Sequence, residues 1–273
     1  MAESTEHPEA SSYEHVVYAT DQAVATIRFN RPECLNSFNT RMLEEFGEVL
    51  DAVRSDDSVR CLLLTGTGRG FCAGQDLNER ISGGEAVLPD LAESLDQRYN
   101  PLVRTLVTLP VPVVCAVNGV AAGAGANIAL ACDIVIAARS ARFIQAFCKI
   151  GLIPDAGGTW QLPRLVGRAR ALGLAMLGDS ITADQAAQWG LIWRVIDDDA
   201  FTDEAHRLAR ILAAQPTRAL GWIKQAINAS ATNTLDQQLD LERDLQGMAC
   251  RGEDYREGLQ AFIDKRTPAF KGN

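Results

Sequence analysis

The chain is poor in the side chains that build metal and disulfide frameworks. Its only histidines are His7, His15 and His206. Its seven cysteines, at positions 34, 61, 72, 115, 132, 148 and 250, are odd in number and form no CxxC pair. A zinc site needs such ligands clustered at short spacing, so none is expected. Most of the cysteines lie in apolar strings such as VVCAV and FCAG, the pattern of reduced, buried thiols in a reducing compartment. No stretch reaches the roughly 18 uninterrupted apolar residues of a membrane span. The opening MAESTEHPEASS has neither the basic start nor the apolar run of a secretion signal. It reads as a disordered tail over residues 1–12, and the cytoplasm is the simplest location. Excess positive charge is missing too. At a net charge of −9, nucleic-acid phosphates are repelled, although a small anionic ligand needs only a local positive site.

What is present is an ordinary globular composition, 47% hydrophobic and 22% charged over 273 residues. A chain of that length hides roughly 70–75% of its unfolded surface. Residues 16–29 are rich in strand formers around a turn near Asp21-Gln22, which predicts a hairpin. Met42, Leu43, Phe46, Val49, Leu50 and Val53 mark one face of a helix. VRCLLL and VVCAV read as buried strands, residues 95–109 as a helix ended by PVP, and CDIVIAA as either a helix or a strand. Glycines and a proline over 82–90 suggest a mobile loop. This alternation is that of an α/β protein. From residue 201 the periodicity is helical, with Leu235, Leu239, Leu245 and Met248 assigned to one face and Tyr255, Leu259 and Phe262 to another. Such stripes must be buried against the core or another subunit. The expected organisation is a tail at 1–12, a core at 13–200 and a helical oligomerisation region at 201–273. No internal sequence repeat is visible.

Three segments, 66–74, 119–125 and 157–158, are rich in small residues. No Walker A string exists, and a GxGxxG match beginning at Gly123 fails at Ile128. Glycines of this kind often serve only tight turns and close packing. GAGAN, however, lies between a strand and an apolar, helix-compatible run. Unpaired N–H groups at a helix start favour negative charge, and an enolate oxygen needs such donors.

FCAGQDL, AVNGVAAGAGANIALACDIVIAA and GLIPDAGGTWQLPRLVG, supported by NRPECLNSFN and LGDSITADQAAQWGLIWRVI, resemble the enoyl-CoA hydratase/isomerase (crotonase) superfamily over residues 16–270. The resemblance implies a crotonase-like spiral of ββα turns with a C-terminal helical trimerisation region, assembled as a homotrimer or a dimer of trimers. It implies an acyl-CoA substrate and no cofactor beyond the coenzyme A that the substrate carries, and neither a nucleic-acid nor a membrane partner. The oxyanion hole falls on the backbone N–H groups of Gln75 and Ala124. Coenzyme A falls along Glu33 and Leu35 and along Ala73, Gly74, Asp76 and Leu77, with Gly123 beside it. Lys265 resembles a phosphate contact made from a neighbouring subunit.

Hydratases of this superfamily hold a water between two glutamates, and those positions are Asn127 and Phe147 here. Hydration by that route is therefore not expected. The remaining acid is Asp155 in GLIPDAGG. Alone, a Pro-Asp-x-Gly string would suggest a turn or N-cap aspartate. The family places it against the acyl group, as the one base of an isomerase that works through a thioester enolate. GLIPDAGGTW and NTLDQQLDLERD are most similar to the family's isomerases of ring-epoxidised phenylacetyl thioesters. A plain 3-enoyl to 2-enoyl isomerase shares the same core residues. An aryl-CoA dehalogenase would need a histidine between 78 and 110, and none is there. A non-catalytic, RNA-binding relative is disfavoured by the charge. Asn78, Tyr99 and Asn100 are further candidates for the acyl pocket, and Ile150, Leu152, Ile153 and Trp160 are expected to make the surroundings of Asp155 apolar.

Overall fold

The computed structural model describes residues 13–82, 85–86 and 90–273. The expected tail at 1–12 lies outside the described residues, as do 83–84 and 87–89 of the loop expected at 82–90. The hairpin is β1 (Val16–Asp21) against β2 (Val24–Phe29). Its turn is Gln22-Ala23, one residue later than expected, with φ of 48° and 62°. Paired positive φ angles match the twist of the flanking strands. The helix α1 (Thr40–Ser55) buries the whole predicted stripe. It starts at Asn39, whose side-chain oxygen accepts from the Met42 N–H at 2.8 Å.

Three turns of strand, strand and helix follow. The first has β3 (Cys61–Gly66), β4 (Gly70–Cys72), a small ribbon of β5 (Ile81–Ser82) and β6 (Glu85–Ala86), then α2 (Leu91–Ser94), which continues through a π turn at Leu95–Tyr99 into α3 (Asn100–Thr108). The second is β7 (Val113–Val117), β8 (Val120–Ala122) and α4 (Ala124–Leu130). The third is β9 (Ile134–Ala138), β10 (Arg142–Ile144) and α5 (Gly158–Leu177). CDIVIAA is thus mainly strand. β11 (Ser180–Thr182), α6 (Ala183–Gln188), β12 (Arg194–Ile196) and four helices complete the chain: α7 (Phe201–Ala213), α8 (Thr217–Ala229), α9 (Leu235–Ala249) and α10 (Glu253–Asp264).

The long strands form a six-stranded sheet in the order β1-β2-β3-β7-β9-β12, parallel from β2 onward. The short strands form a four-stranded sheet, β11-β10-β8-β4. Each turn therefore places its first strand in one sheet and its second in the other, which is the expected spiral. Strands buried on both faces need near-continuous apolar runs, and CLLL, VVCAV and IVIAA supply them. Phe29 sits in the core between Phe38, Phe46 and Phe71, with ring centroids 5.1–5.5 Å apart.

The C-terminal helices divide. α7 buries Phe201, Ala205, Ala209 and Ala213, and α8 is held by Lys224. Its ammonium donates to the Leu106 carbonyl at 2.7 Å and meets Asp133 at 3.0 Å. Asp133 also accepts from the Val113 N–H, which fits a structural residue. In α9 only Leu245 is buried. Leu235, Leu239, Met248, Tyr255, Leu259 and Phe262 are exposed on the single chain, so these stripes find no cover within it. The cysteines also correct the expectation in part. All are free, but only Cys61, Cys72, Cys115 and Cys132 are fully buried, and Cys250 is exposed. Among the described residues no helix is long and apolar enough to cross a membrane.

Candidate active site

The floor of the site is backbone. The β4–β8 register shifts between Gly70 and Cys72, and a shift of this kind bends a strand and re-aims the chain beyond it. Here it carries Ala73-Gly74-Gln75 across the start of α4. Gly74 has φ of 89°, and a Cβ there would lie 2.8 Å from the Ala122 carbonyl and 3.5 Å from the Ala124 nitrogen. A Cβ on Gly125 would lie 2.5 Å from the Cys72 carbonyl. Only glycine lets the two segments approach this closely.

Their contact frees two donors. Phe38 donates to the Gly74 carbonyl at 2.7 Å and accepts from the Asp76 N–H at 2.8 Å, a parallel bridge that leaves Gln75's own N–H out. Ala124 is the first residue of α4, where an N–H has no intrahelical partner. Among the described residues, no backbone hydrogen bond outside the helices and strands uses either N–H. The Gln75 side chain is held aside. Its Oε1 accepts a short hydrogen bond from the Tyr99 hydroxyl, and its Nε2 reaches Glu79 at 3.5 Å.

The wall opposite is the segment before α5. A short 3-10 turn at Ala146–Ile150 buries Phe147, and the chain then runs through Pro154 to Asp155. Ala156 and Gly157 are both left-handed, with φ of 46° and 82°. The N-cap of α5 is Gly157 rather than Asp155. The Asp155 carbonyl accepts from the Gly158 N–H and from the Asn127 side-chain amide, each at 2.8 Å. The aspartate's backbone is therefore fastened twice.

Floor and wall enclose a cleft of about 560 Å³. Ala73, Gly74, Gln75, Leu77, Gly123, Ala124 and Asp155 line it together. So do Tyr99, Asn100, Phe147, Ile150, Leu152 and Ile153, but not Asn78 or Trp160. Trp160 instead lies under the Arg164 guanidinium, 4.1 Å from its ring centroid. Among the described lining residues Asp155 is the one carboxylate, and Lys149, which sequence reasoning missed, is the one cation.

The other expected contacts lie off the cleft. Leu35 is left-handed, and its carbonyl accepts from the Ala73 N–H at 3.0 Å, so its segment braces the floor from outside; Glu33 stands exposed in the adjoining turn. Asp76 is buried, and its carboxylate is occupied by Arg31 at 2.9 Å and by the Asn78 N–H at 3.1 Å. Burial pushes its carboxyl up, but the hydrogen bonds from Arg31 and Asn78 outweigh that and hold it below the usual range. Lys265 is an exposed left-handed cap on α10 and does not line the cleft of its own chain. Cys72 packs beneath Gly125, and burial pushes its thiol well up. Among the described residues no three His, Cys, Asp or Glu side chains are grouped to hold a metal ion.

The family model for enoyl-CoA hydratase/isomerase matches residues 19–273. The chain is 60% identical over 259 residues to the 1,2-epoxyphenylacetyl-CoA isomerase of Escherichia coli K12, covering 95% of this chain and 99% of that one. It is 38% identical to the 2,3-dehydroadipyl-CoA hydratase of the same organism, over 94% and 98% of the two chains. Among solved structures, an enoyl-CoA hydratase from Bacillus anthracis superposes with a TM-score of 0.88 at 33% identity, over 95% of this chain and all of that one. Sequence, spiral and cleft agree, and the chain belongs to the enoyl-CoA hydratase/isomerase family.

Proposed function

We propose that the protein is an acyl-CoA isomerase that converts ring-1,2-epoxyphenylacetyl-CoA to its oxepin thioester by proton transfer through an enolate. The observation that carries this reading is Asp155, the one carboxylate among the described lining residues, in one cleft with the two N–H groups of Gln75 and Ala124. The thioester oxygen sits between those donors. Ionised Asp155 takes the proton from the carbon beside the carbonyl, and the charge collects on the oxygen. An oxyanion donor of this kind contributes about 3–4 kcal/mol to such a step. The proton returns from Asp155 to a carbon further along the conjugated system, and the epoxide ring expands to the seven-membered oxepin. Nothing is gained or lost overall, so one carboxylate serves as base and then as acid. The reaction takes no cofactor beyond the coenzyme A of the substrate. Asn127 and Phe147, where a hydratase would carry glutamates, leave no second acid to hold a water.

The similarity to an isomerase named for this epoxide supports the substrate. A 35% identical relative from Streptococcus mutans is named as a trans-2-decenoyl-[acyl-carrier-protein] isomerase, an isomerase of a 2-enoyl thioester, and the same machinery run toward the conjugated side would move a double bond from position 3 to position 2. The exposed apolar side chains of α8 to α10, among them Ile227, Leu235 and Phe262, suit burial between copies in a trimer or a dimer of trimers, which light scattering reads directly.

The test is conversion of cis-3-hexenoyl-CoA and of the ring epoxide by wild type and Asp155→Asn, followed by ultraviolet absorbance. The reading expects both products from wild type and almost none from the variant. A variant that keeps its rate would make Asp155 a turn residue and overturn the mechanism.

A further inference from the structure

We infer that Asn127 and Gln145 form a two-amide bracket that sets the position of Asp155 relative to the oxyanion donors. Both are positioning residues, and neither lines the cleft. The inference rests on Asp155 being the base. Asn127 lies one turn into α4, the helix whose first N–H is the Ala124 donor. It is fully buried. Its Nδ2 donates to the Asp155 carbonyl at 2.8 Å, and its Oδ1 accepts from Gln145 Nε2 at 2.8 Å. Gln145 is itself buried, at the head of the turn that carries Phe147. One side chain therefore ties the donor helix to the backbone of the base, and a second holds the first in place.

The order of the amides is forced. A peptide carbonyl can only accept, so Asn127 must turn its nitrogen toward Asp155 and its oxygen toward Gln145. The chain also gives up a side chain for this contact. A Cβ on Gly158 would lie 2.2 Å from Asn127 Nδ2. The second glycine of DAGG is thus explained by the bracket, since Gly158 does not need positive φ. Asn127 also occupies the place of a hydratase glutamate. A carboxylate there would point an acceptor at the Asp155 carbonyl, so the position cannot hold that acid and fasten this base at once. What separates a one-base isomerase from a hydratase in this fold then includes the loss of an acid and the conversion of its position into a donor.

The experiment uses the full chain with cis-3-hexenoyl-CoA as probe. Asn127→Asp keeps the shape and exchanges donor for acceptor; Gln145→Met keeps the volume and releases the Asn127 amide. A displaced base costs turnover, because a misplacement near 1 Å can cost about a hundredfold, while the floor still binds the thioester. The expected result is a kcat lowered by about 10- to 100-fold in Asn127→Asp and about 3- to 10-fold in Gln145→Met, with KM within about threefold of wild type in both. If Asn127→Asp does not fold, Gln145→Met decides alone. A kcat within twofold of wild type overturns the inference, and so does a rise in KM that matches the loss of kcat, since that is a damaged fold. Asp155→Asn, run beside them, separates the two claims. If it keeps full activity, the base assignment has failed; if it is inactive while the bracket variants are normal, only the bracket has failed.

Discussion

The floor and the wall of the cleft are built by opposite means. The floor offers main chain: two N–H groups whose positions depend on side chains being absent at Gly74 and Gly125. It is enclosed, with Ala124, Gly125 and Cys72 all buried. The wall offers one side chain on a strip that stands open in the single chain, with Ile150 and Ile153 54% and 78% exposed. In the proposed mechanism the floor does a task common to every enolate reaction, so it can be fixed once in backbone. The wall, on the same proposal, directs the proton, and a single residue can change that. The two parts should therefore fail differently when altered.

The largest effect belongs to the wall. Asp155→Asn should lower kcat by about a thousandfold or more, within the range of a lost general base, while acyl-CoA affinity by calorimetry stays near wild type. The floor comes next. Gly74→Ala places a Cβ 2.8 Å from the Ala122 carbonyl at φ of 89°. It should cost about 10²- to 10³-fold in kcat, the loss of one oxyanion donor, with both donor segments shifted in hydrogen exchange. Equal losses of binding and turnover would show that the floor also anchors the ground state. Phe147→Glu restores one acid to the wall. Its ring now packs 3.7 Å from where a Gly123 Cβ would sit, so a carboxylate there would face the developing oxyanion. Isomerisation should fall about tenfold, equivalent to about 1.4 kcal/mol, with no hydration of a 2-enoyl-CoA, because Asn127 still fills the partner position. Appearance of the 3-hydroxy product would break the view that hydration needs both acids.

The mildest change to activity sharpens the contrast. Gln75→Ala removes the side chain that Tyr99 and Glu79 hold and keeps the N–H. Turnover should stay within about threefold of wild type, since a backbone donor does not depend on its own side chain. A larger loss would mean that the Tyr99 hydrogen bond steers the floor.

Much of this was legible in the sequence, for physical reasons that differ by element. Strands buried on both faces announce themselves by composition, so VVCAV and CLLL were readable, and so was the α1 stripe from Met42 to Val53. The site glycines were visible as a string, but their purpose was not. Gly74 and Gly158 answer to atoms of Ala122 and Asn127, distant in the chain. The three turns of the spiral repeat in backbone alone, since each carries different side chains and an insertion of its own length. Asp76 was expected along coenzyme A from the family resemblance alone; its carboxylate turns to Arg31 at 2.9 Å and to the Asn78 N–H at 3.1 Å, contacts that no local pattern announces. Gln145 and Lys149 carried no signal beyond their nearness to Phe147. The stripes of α9 and α10 were seen as apolar, yet nothing in one chain says what buries them.

The pair behind the floor supplies a last prediction, on stability rather than rate. Arg31 and Asp76 sit behind Gln75 with side chains only 14% and 7% exposed. The Asp76 carboxyl is held below its ordinary 3.8, so on acidification the unfolded chain takes the proton before the folded one does. The contribution is therefore complete above about pH 5 and is lost as pH falls past the unfolded value and through the lowered folded one. Asp76→Asn should cost about 1–3 kcal/mol at pH 7, as Arg31 loses a charged partner inside the protein. The gap to wild type should narrow in acid, measured by urea unfolding at pH 7 and pH 3. Over pH 5–9 the Arg31–Asp76 pair then stays in one charge state and contributes no inflection of kcat in that range. A stability gap that widens in acid would reverse the sign and remove Asp76 as the floor's anchor.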